Sequence, residues 1–323
     1  MKKLILLFIL LIFILLPLKF NNPYFLHCMI MTLYFAALGE SWNIMSGYSG
    51  AVSLGHAAFL SIGAYTSTML LVNYQLSPWF GMLIGGALAA LGSLIICYPA
   101  IKLKGPYFVL STVAFAEILR FVTSQSKSLG GASGLLIPIL TESSFYQFQF
   151  VTKLPYYYII LFFVSLNVFV SYRVENSKIG LYLMAIRENR DAAQMLGVNI
   201  AKYLAIGLCL SSFLTGMVGV FYVQYMVYIS PGAIMGVWES IKIALVAIIG
   251  GMGTFVGPLI GAVLYFWMGE GIRLIFGAEI SGLSPFVFGI AMVIIILIFP
   301  GGLVPTLSRL PERLRRLLRD VRI

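Results

Sequence analysis

RVENSKIGLYLMAIRENRDAAQMLGVNIAKY, residues 173–203, stands between two apolar blocks at 155–172 and 204–228. It carries Arg173, Lys178, Arg187, Arg190 and Lys202 against Glu175, Glu188 and Asp191. A charged island flanked by helix-length hydrophobic runs reads as a loop joining two membrane spans, and that sets the fold class. Inside it, Leu183, Ile186, Ala193, Met195 and Leu196 could make one apolar stripe at helical spacing, with charges on the other faces. Either something docks on that stripe or the loop is a solvated amphipathic connection; the residues alone allow both.

The rest of the 323-residue chain agrees. It is 60% hydrophobic and 10% charged, more apolar surface than a water-soluble fold of this length needs. Apolar blocks recur near 4–18, 24–45, 52–72, 80–100, 106–124, 155–172, 204–228, 238–250, 254–275 and 284–300. These are helix-length, without the ten-residue alternation of a membrane barrel, so the expected fold is an all-α polytopic integral membrane helical bundle with about 8–10 transmembrane segments. The whole chain, 1–323, reads as a single transmembrane domain. The N-terminal MKKLILLFILLIFILLPL lacks a small-x-small cleavage site and reads as a first span.

A net charge of +10 in a soluble protein would suggest nucleic acid; here its placement argues for positive-inside topology and no polynucleotide partner. Gly250-Gly251-Met252-Gly253 interrupts 238–275, which is one helix in a nine-span reading and two in a ten-span reading. With the N-terminus inside, ten spans place 15 of the 21 Lys/Arg on the cytoplasmic side: Lys2, Lys3, Lys102, Lys104, the five island cations and six tail arginines. Nine spans would put the Arg-rich tail outside. The tail, 304–323, then reads as a basic helix on the inner leaflet.

Motifs for soluble catalysis are missing. No Gly-Lys dipeptide occurs, so the chain has no phosphate-cradling loop and would not hydrolyse ATP by that route. His27 and His56 lie in different spans with no carboxylate or cysteine at ligand spacing, which gives no metal site and no catalytic residue. Cys28, Cys97 and Cys209 all sit in apolar blocks and read as buried small hydrophobes.

Three features remain. The first is Gly47-Tyr-Ser49-Gly-Ala-Val-Ser53-Leu-Gly55-His56, whose small and hydroxyl residues permit close packing or an unwound, cavity-lining segment. Ser49, Ser53, Gly55 and His56 are therefore candidates for a translocation path; an interhelical hydrogen bond is the plainer role for His56. The second is Gly253, Gly257 and Gly261, at four-residue spacing, which mark a helix-packing seam. The third is the set of pairs Glu117/Arg120, Glu239/Lys242 and Glu270/Arg273, whose i,i+3 spacing allows mutual neutralisation in lipid. They either anchor helix ends or, for Glu117 and Arg120, line a polar vestibule on the path. Glu40 has no neighbouring cation and should face the bundle interior or water.

Several stretches resemble the branched-chain amino acid ABC transporter permease family: Tyr48–Phe59, Leu103–Phe108, Gly130–Leu135, Gly250–Thr254 with Gly257-Pro258, and Phe299–Leu303. The island is similar to that family's ATPase-contacting loop through Ala185, Arg187, Glu188, Asp191, Ala192, Ala193 and Gly197, with Asp191 where the general importer loop has Glu. The resemblance spans about residues 34–303. It implies a permease for branched-chain or other hydrophobic amino acids in a bacterial or archaeal cytoplasmic (inner) membrane, with 173–203 as a cytoplasmic coupling helix. The implied partners are a second homologous permease, two cytoplasmic ATPase subunits and an extracytoplasmic solute-binding protein. ATP and Mg would bind those ATPases, and no cofactor this chain. Urea or short-chain amides replace amino acids in some members. An ion-gradient-driven secondary transporter is the competing class, resting on Glu40 and the 46–56 stretch and leaving the island unexplained.

Overall fold

A computed structural model describes residues 13–14, 16–17, 22–100, 103, 105–276 and 282–307. Most of the expected first span, Lys2, Lys3, Lys19, Lys102 and Lys104, and the tail arginines lie outside the described residues, as does the Cys97 side chain.

The chain is helical almost throughout. The longer helices are α1 (Pro23–Trp42), α2 (His56–Tyr74), α3 (Pro78–Ala100), α4 (Pro106–Gln125), α5 (Lys153–Glu175), α6 (Lys178–Glu188) and α8 (Ile200–Met226). Short α7 (Arg190–Met195) and α9 (Pro231–Ile234) interleave with them, and α10 (Val237–Gly250), α11 (Gly257–Phe276) and α12 (Leu283–Ile298) follow. Six segments are long and apolar enough to cross a membrane: Pro78–Ile96, Pro106–Gln125, Lys153–Glu175, Ile200–Met226, Pro231–Gly250 and Gly257–Phe276; Leu283–Ile298 is apolar but shorter. By length and composition alone, the described residues supply six of the expected spans. Helices α1 and α2 fall outside the set because buried polar groups, Glu40, Ser41, His56 and Ser61 among them, dilute their hydropathy.

The 238–275 block is two helices. Gly250 ends α10, Gly251 turns at φ 125°, and Thr254 caps α11 by accepting from the Gly257 N–H at 3.1 Å.

Helix α1 is the axis of the bundle. From Leu33 to Trp42 every residue is buried, against α5, α8, α10 and α11. Close helix crossings rest on glycine: a Cβ on Gly63 of α2 would lie 2.0 Å from the Gly216 carbonyl oxygen of α8, and one on Gly219 2.1 Å from that of Leu60. At the end remote from the island, the 126–152 loop is fastened by antiparallel β1 (Leu135–Leu136) and β2 (Tyr228–Ile229), paired Leu135 to Ile229. Gly134, at φ 80°, lets this pairing start, because a side chain there would meet the Ile229 carbonyl.

Candidate functional site

Three polar caps fold the island into a hairpin. The Ser177 hydroxyl accepts from Gly180 N–H to start α6, Asn189 Oδ1 accepts from Asp191 and Ala192 N–H to start α7, and Asn199 starts α8 at Lys202 N–H. Asp191 lies in the first turn of α7, where its charge suits the helix dipole. Gly197, at φ 84°, ends α7. Because Asn189 is extended (φ −157°, ψ 108°), the helical phase restarts there and the expected single stripe is split. Leu183, Ile186 and Ala193 are buried inward, whereas Met195 (89%) and Leu196 (85%) point outward. Ala185, Arg187, Glu188, Asp191, Ala192 and Gly197 also have exposed surface.

Arg187 joins this hairpin to the bundle. Its Nη1 donates to the Gly47 carbonyl at 3.1 Å, and Gly50 and Gly253 leave room for the side chain, a Cβ on Gly253 falling 2.4 Å from Nη1. Asn43 clips the same region: its Nδ2 donates to Thr254 O at 2.9 Å and its Oδ1 accepts from Gly253 N–H at 2.8 Å. Residues 43–47 form a π-helical turn, a form enriched at functional positions. Arg190 donates to Leu103 O at 3.1 Å. The hairpin therefore touches the island-side ends of α1, α4 and the α10–α11 loop. Gly253 lies in that loop, before α11 begins, so it does not share a helical face with Gly257 and Gly261. Those two sit at the α10–α11 crossing, where a Cβ on Gly261 would fall 1.9 Å from Val246 O.

Residues 50–55 are non-helical backbone inside the bundle, and side chains satisfy them. Ser46 accepts from Ser53 N–H, Trp42 Nε1–H donates to Ser53 O at 2.7 Å, and Thr112 of α4 accepts from Leu54 N–H at 3.0 Å. Ser49 is occupied locally, donating to Met45 O at 2.6 Å. Gly55 packs on the Thr112 backbone, and His56 Nε2 lies 2.8 Å from Ser211 Oγ. Ser211 donates its proton to Ser41 O at 2.6 Å, so the imidazole must donate through Nε2–H. His56 is thereby an interhelical tie. Glu40, fully buried, faces the interior with both oxygens unpartnered.

All three i,i+3 pairs form: Glu117–Arg120 at 2.7 Å, Glu239–Lys242 at 2.5 Å and Glu270–Arg273 at 2.6 Å. Tyr24 also donates to Glu270. Glu117 and Arg120 stay about two-fifths exposed and are not part of the buried set of α4, which is Phe108, Thr112, Ala116 and Thr123. They do not meet Ser49, Ser53, Gly55 or His56. A cavity of about 350 Å³ opens instead between α2 and α4, lined by Tyr65, Thr66 and Thr123 with Ile62, Leu119 and Met235. The Tyr65 hydroxyl is buried and unpartnered. The hydroxyls of α2 were the only sequence signal for this cavity. Among the described residues no three His, Cys, Asp or Glu gather at metal-binding distance, and Cys28 and Cys209 are free thiols.

Residues 23–296 match the protein family described as branched-chain amino acid transport system / permease component. The chain is 27% identical over 297 residues to the high-affinity branched-chain amino acid transport system permease protein LivM of Escherichia coli K12, covering 85% of this chain and 68% of that one. A probable branched-chain amino acid transport permease protein LivM of Methanocaldococcus jannaschii is 24% identical, covering 85% and 79%. The nucleoside ABC transporter permease protein NupC of Lactococcus lactis is 26% identical, covering 72% and 76%. No solved structure matches the chain. With a family match over most of its length and a helical membrane fold, this chain belongs to the branched-chain amino acid transport permease family.

Proposed function

We propose that the chain is the membrane-spanning permease subunit of an ATP-driven importer of branched-chain or other hydrophobic amino acids in a prokaryotic cytoplasmic membrane. A second permease, two cytoplasmic ATPase subunits and an external binding protein complete it. The observation that carries this reading is the α6–α7 hairpin: its inner face is fixed to helix ends by Arg187 and Arg190, and its outer face presents exposed Met195 and Leu196. An apolar pair on a charged surface suits a groove on a partner, and positive-inside placement puts that partner in the cytosol. Ala185, Arg187, Glu188, Asp191, Ala192, Ala193 and Gly197 form the coupling element. ATP acts there through its differential affinity for the inward and outward states.

The α2–α4 cavity supports the substrate class. Its walls are aliphatic, its polar groups are hydroxyls, and no charged side chain lines it among the described residues. Such a lining suits a small solute with an aliphatic side chain better than a nucleoside, whose base needs more hydrogen bonds. Ser49, Ser53, Gly55 and His56 support the path from behind, and the half-buried Glu117–Arg120 pair neutralises itself on α4.

Reconstitution with all partner subunits tests the reading. Leucine uptake should require ATP, and Arg187→Ala should keep ATP hydrolysis while lowering uptake about tenfold, within the usual 1–3 kcal/mol of coupling between sites. Uptake by this chain alone, driven by an ion gradient, would refute it.

A further inference from the structure

Glu40 is fully buried in α1, and neither of its oxygens meets a donor. Opposite it on α5, Asn167, Ser171 and Glu175 recur every four residues and form one row along the helix. Asn167 Nδ2 donates to Ala37 O and to Ser41 Oγ, each at 2.9 Å, while its Oδ1 is buried without a donor. Ser171, also fully buried, is the hydroxyl that faces Glu40. The Tyr48 hydroxyl comes next, 3.0 Å from Ser171 Oγ and 3.3 Å from Glu175 Oε2. Glu175, partly exposed at the island end of α5, closes the row.

This column is short of a hydrogen. A carboxylate at Glu40 would be a buried charge with no cation facing it, because the charged group that acts on it is Glu175, another acid. Tyr48 is the other titratable group beside it. A proton on Glu40 removes the charge and supplies the missing donor. The Glu40 O–H then donates to Ser171 Oγ, Ser171 donates to Tyr48 Oη, and Tyr48 donates to the Glu175 carboxylate, so each hydroxyl gives once and receives once.

The column opens on one side only. Toward the island it ends at Glu175, two residues before the Ser177 that caps α6. In the other direction α5 continues with Phe163 and Ile160, both buried and apolar. The recess that opens beside Phe13 takes Leu33 and Ala36 from α1 and Val168, Phe169 and Tyr172 from α5, so the row lies on a different face of α5.

We propose that Glu40 is a proton-binding site, filled in this conformation and served from the island side through Glu175, Tyr48 and Ser171. Loading puts one proton from water on the Glu175 carboxylate. Glu175 passes it to Tyr48 as Tyr48 releases its own to Ser171 and Ser171 its own to the Glu40 carboxylate. One O–H bond breaks for each that forms, and the protein gains one proton. With a single mouth, the proton leaves by the way it came and is not carried across the membrane. It acts as a ligand of the packed α1–α5 contact: a conformation that wets Glu40 releases it, and a bound proton favours the conformation that buries it. The site stands whatever solute the chain carries.

Infrared spectroscopy of the full chain in phosphatidylcholine nanodiscs at neutral pH tests this. The spectrum should hold the C=O stretch of an un-ionised carboxylic acid, shifted both by heavy water and by isotope-labelled glutamate. Glu40→Gln, which copies the shape of the protonated acid, should remove the band from a chain that stays monodisperse. Glu40→Asp provides a second variant, whose acid band should no longer respond to labelled glutamate. After a switch to heavy water, Tyr48→Phe deletes only the relaying hydroxyl and should slow the deuterium shift of the band about a hundredfold, the low end of what a positioned proton-transfer group supplies. Tyr65→Phe, outside the column, should leave that rate unchanged. The proposal is overturned by the lack of an acid band in the native chain, which is the result a Glu40 carboxylate neutralised by a cation would give. It is equally overturned by a band that survives Glu40→Gln, or by exchange as fast in Tyr48→Phe as in the native chain.

Discussion

Replacing Asn43 by alanine should loosen the joint between α1 and the α10–α11 loop. The side chain is fully buried and bonds two backbone groups more than two hundred residues away, Thr254 O at 2.9 Å and Gly253 N–H at 2.8 Å. The network fixes the amide orientation, because a backbone N–H can only donate and a carbonyl can only accept. Alanine leaves both groups buried and unpaired, at about 1–2 kcal/mol each, or about 2–4 kcal/mol in all. With an unfolding entropy of about 2 cal/mol/K per residue, a chain this long should melt about 3–6 °C lower. Asn43→Asp provides the sharper comparison. It keeps an acceptor for Gly253 but sets a carboxylate against the Thr254 carbonyl, so it should destabilise more than alanine despite being nearly isosteric. Nanodisc melting curves read by intrinsic fluorescence would rank the three chains. If the Asn43→Asp chain melted at or above the temperature of the Asn43→Ala chain, the clip would not be made as described.

Other positions separate packing from coupling. Gly63→Ala puts a methyl 2.0 Å from the Gly216 carbonyl oxygen, so it should cost about 1–3 kcal/mol or block assembly, while Gly289→Ala, with nothing within 4 Å, should leave yield and melting unchanged. Ser211→Ala strips partners from both His56 Nε2–H and Ser41 O and should cost about 1–3 kcal/mol in melting experiments; a neutral result would remove the assigned tautomer. Met195→Ser with Leu196→Ser, both highly exposed, should leave melting unchanged yet weaken copurification of the ATPase subunits. Unaltered copurification would move the docking surface elsewhere.

The class of fold was legible because hydrophobic blocks of helical length leave few architectures open in lipid. The break at Gly251 was legible too: the positive-inside reading of the charges asked for a divided 238–275, and the block is two helices parted there. What could not be read was phase. Asn189 looks like an ordinary polar residue within an amphipathic run, but its extended backbone rotates α7 against α6 and turns Met195 and Leu196 outward. Gly253, Gly257 and Gly261 share a spacing but not a helix, because α11 starts only at Gly257. Glu117 and Arg120 were found as a pair from spacing, yet which face of α4 carries them depends on how α2 and α8 pack, information that local sequence lacks. Asn43 gave no signal, since both its partners are backbone atoms.

The path of force through the joint follows from which contacts are stiff. Arg187 reaches the π-turn through a single hydrogen bond to Gly47 O, on a side chain two-fifths exposed, so alone it is a compliant link. Behind it, Gly47 packs so tightly on Asn43 that a Cβ would overlap Oδ1 at 1.8 Å, and Asn43 holds the α10–α11 loop by two direct bonds. A load on the outer face of α6–α7 therefore reaches α1 and α11 together, not one after the other. The unwound 50–55 segment lies directly beyond this node; its Ser53 and Leu54 N–H groups are held by the side chains of Ser46 and Thr112 rather than by a regular ladder. Regular helix would resist a change of length there; backbone satisfied by Ser46 and Thr112 can exchange partners at about 1 kcal/mol per bond. If that segment is where the two conformations differ, then hydrogen exchange at 50–57 should respond to ATPase engagement while exchange within the buried half of α8 does not.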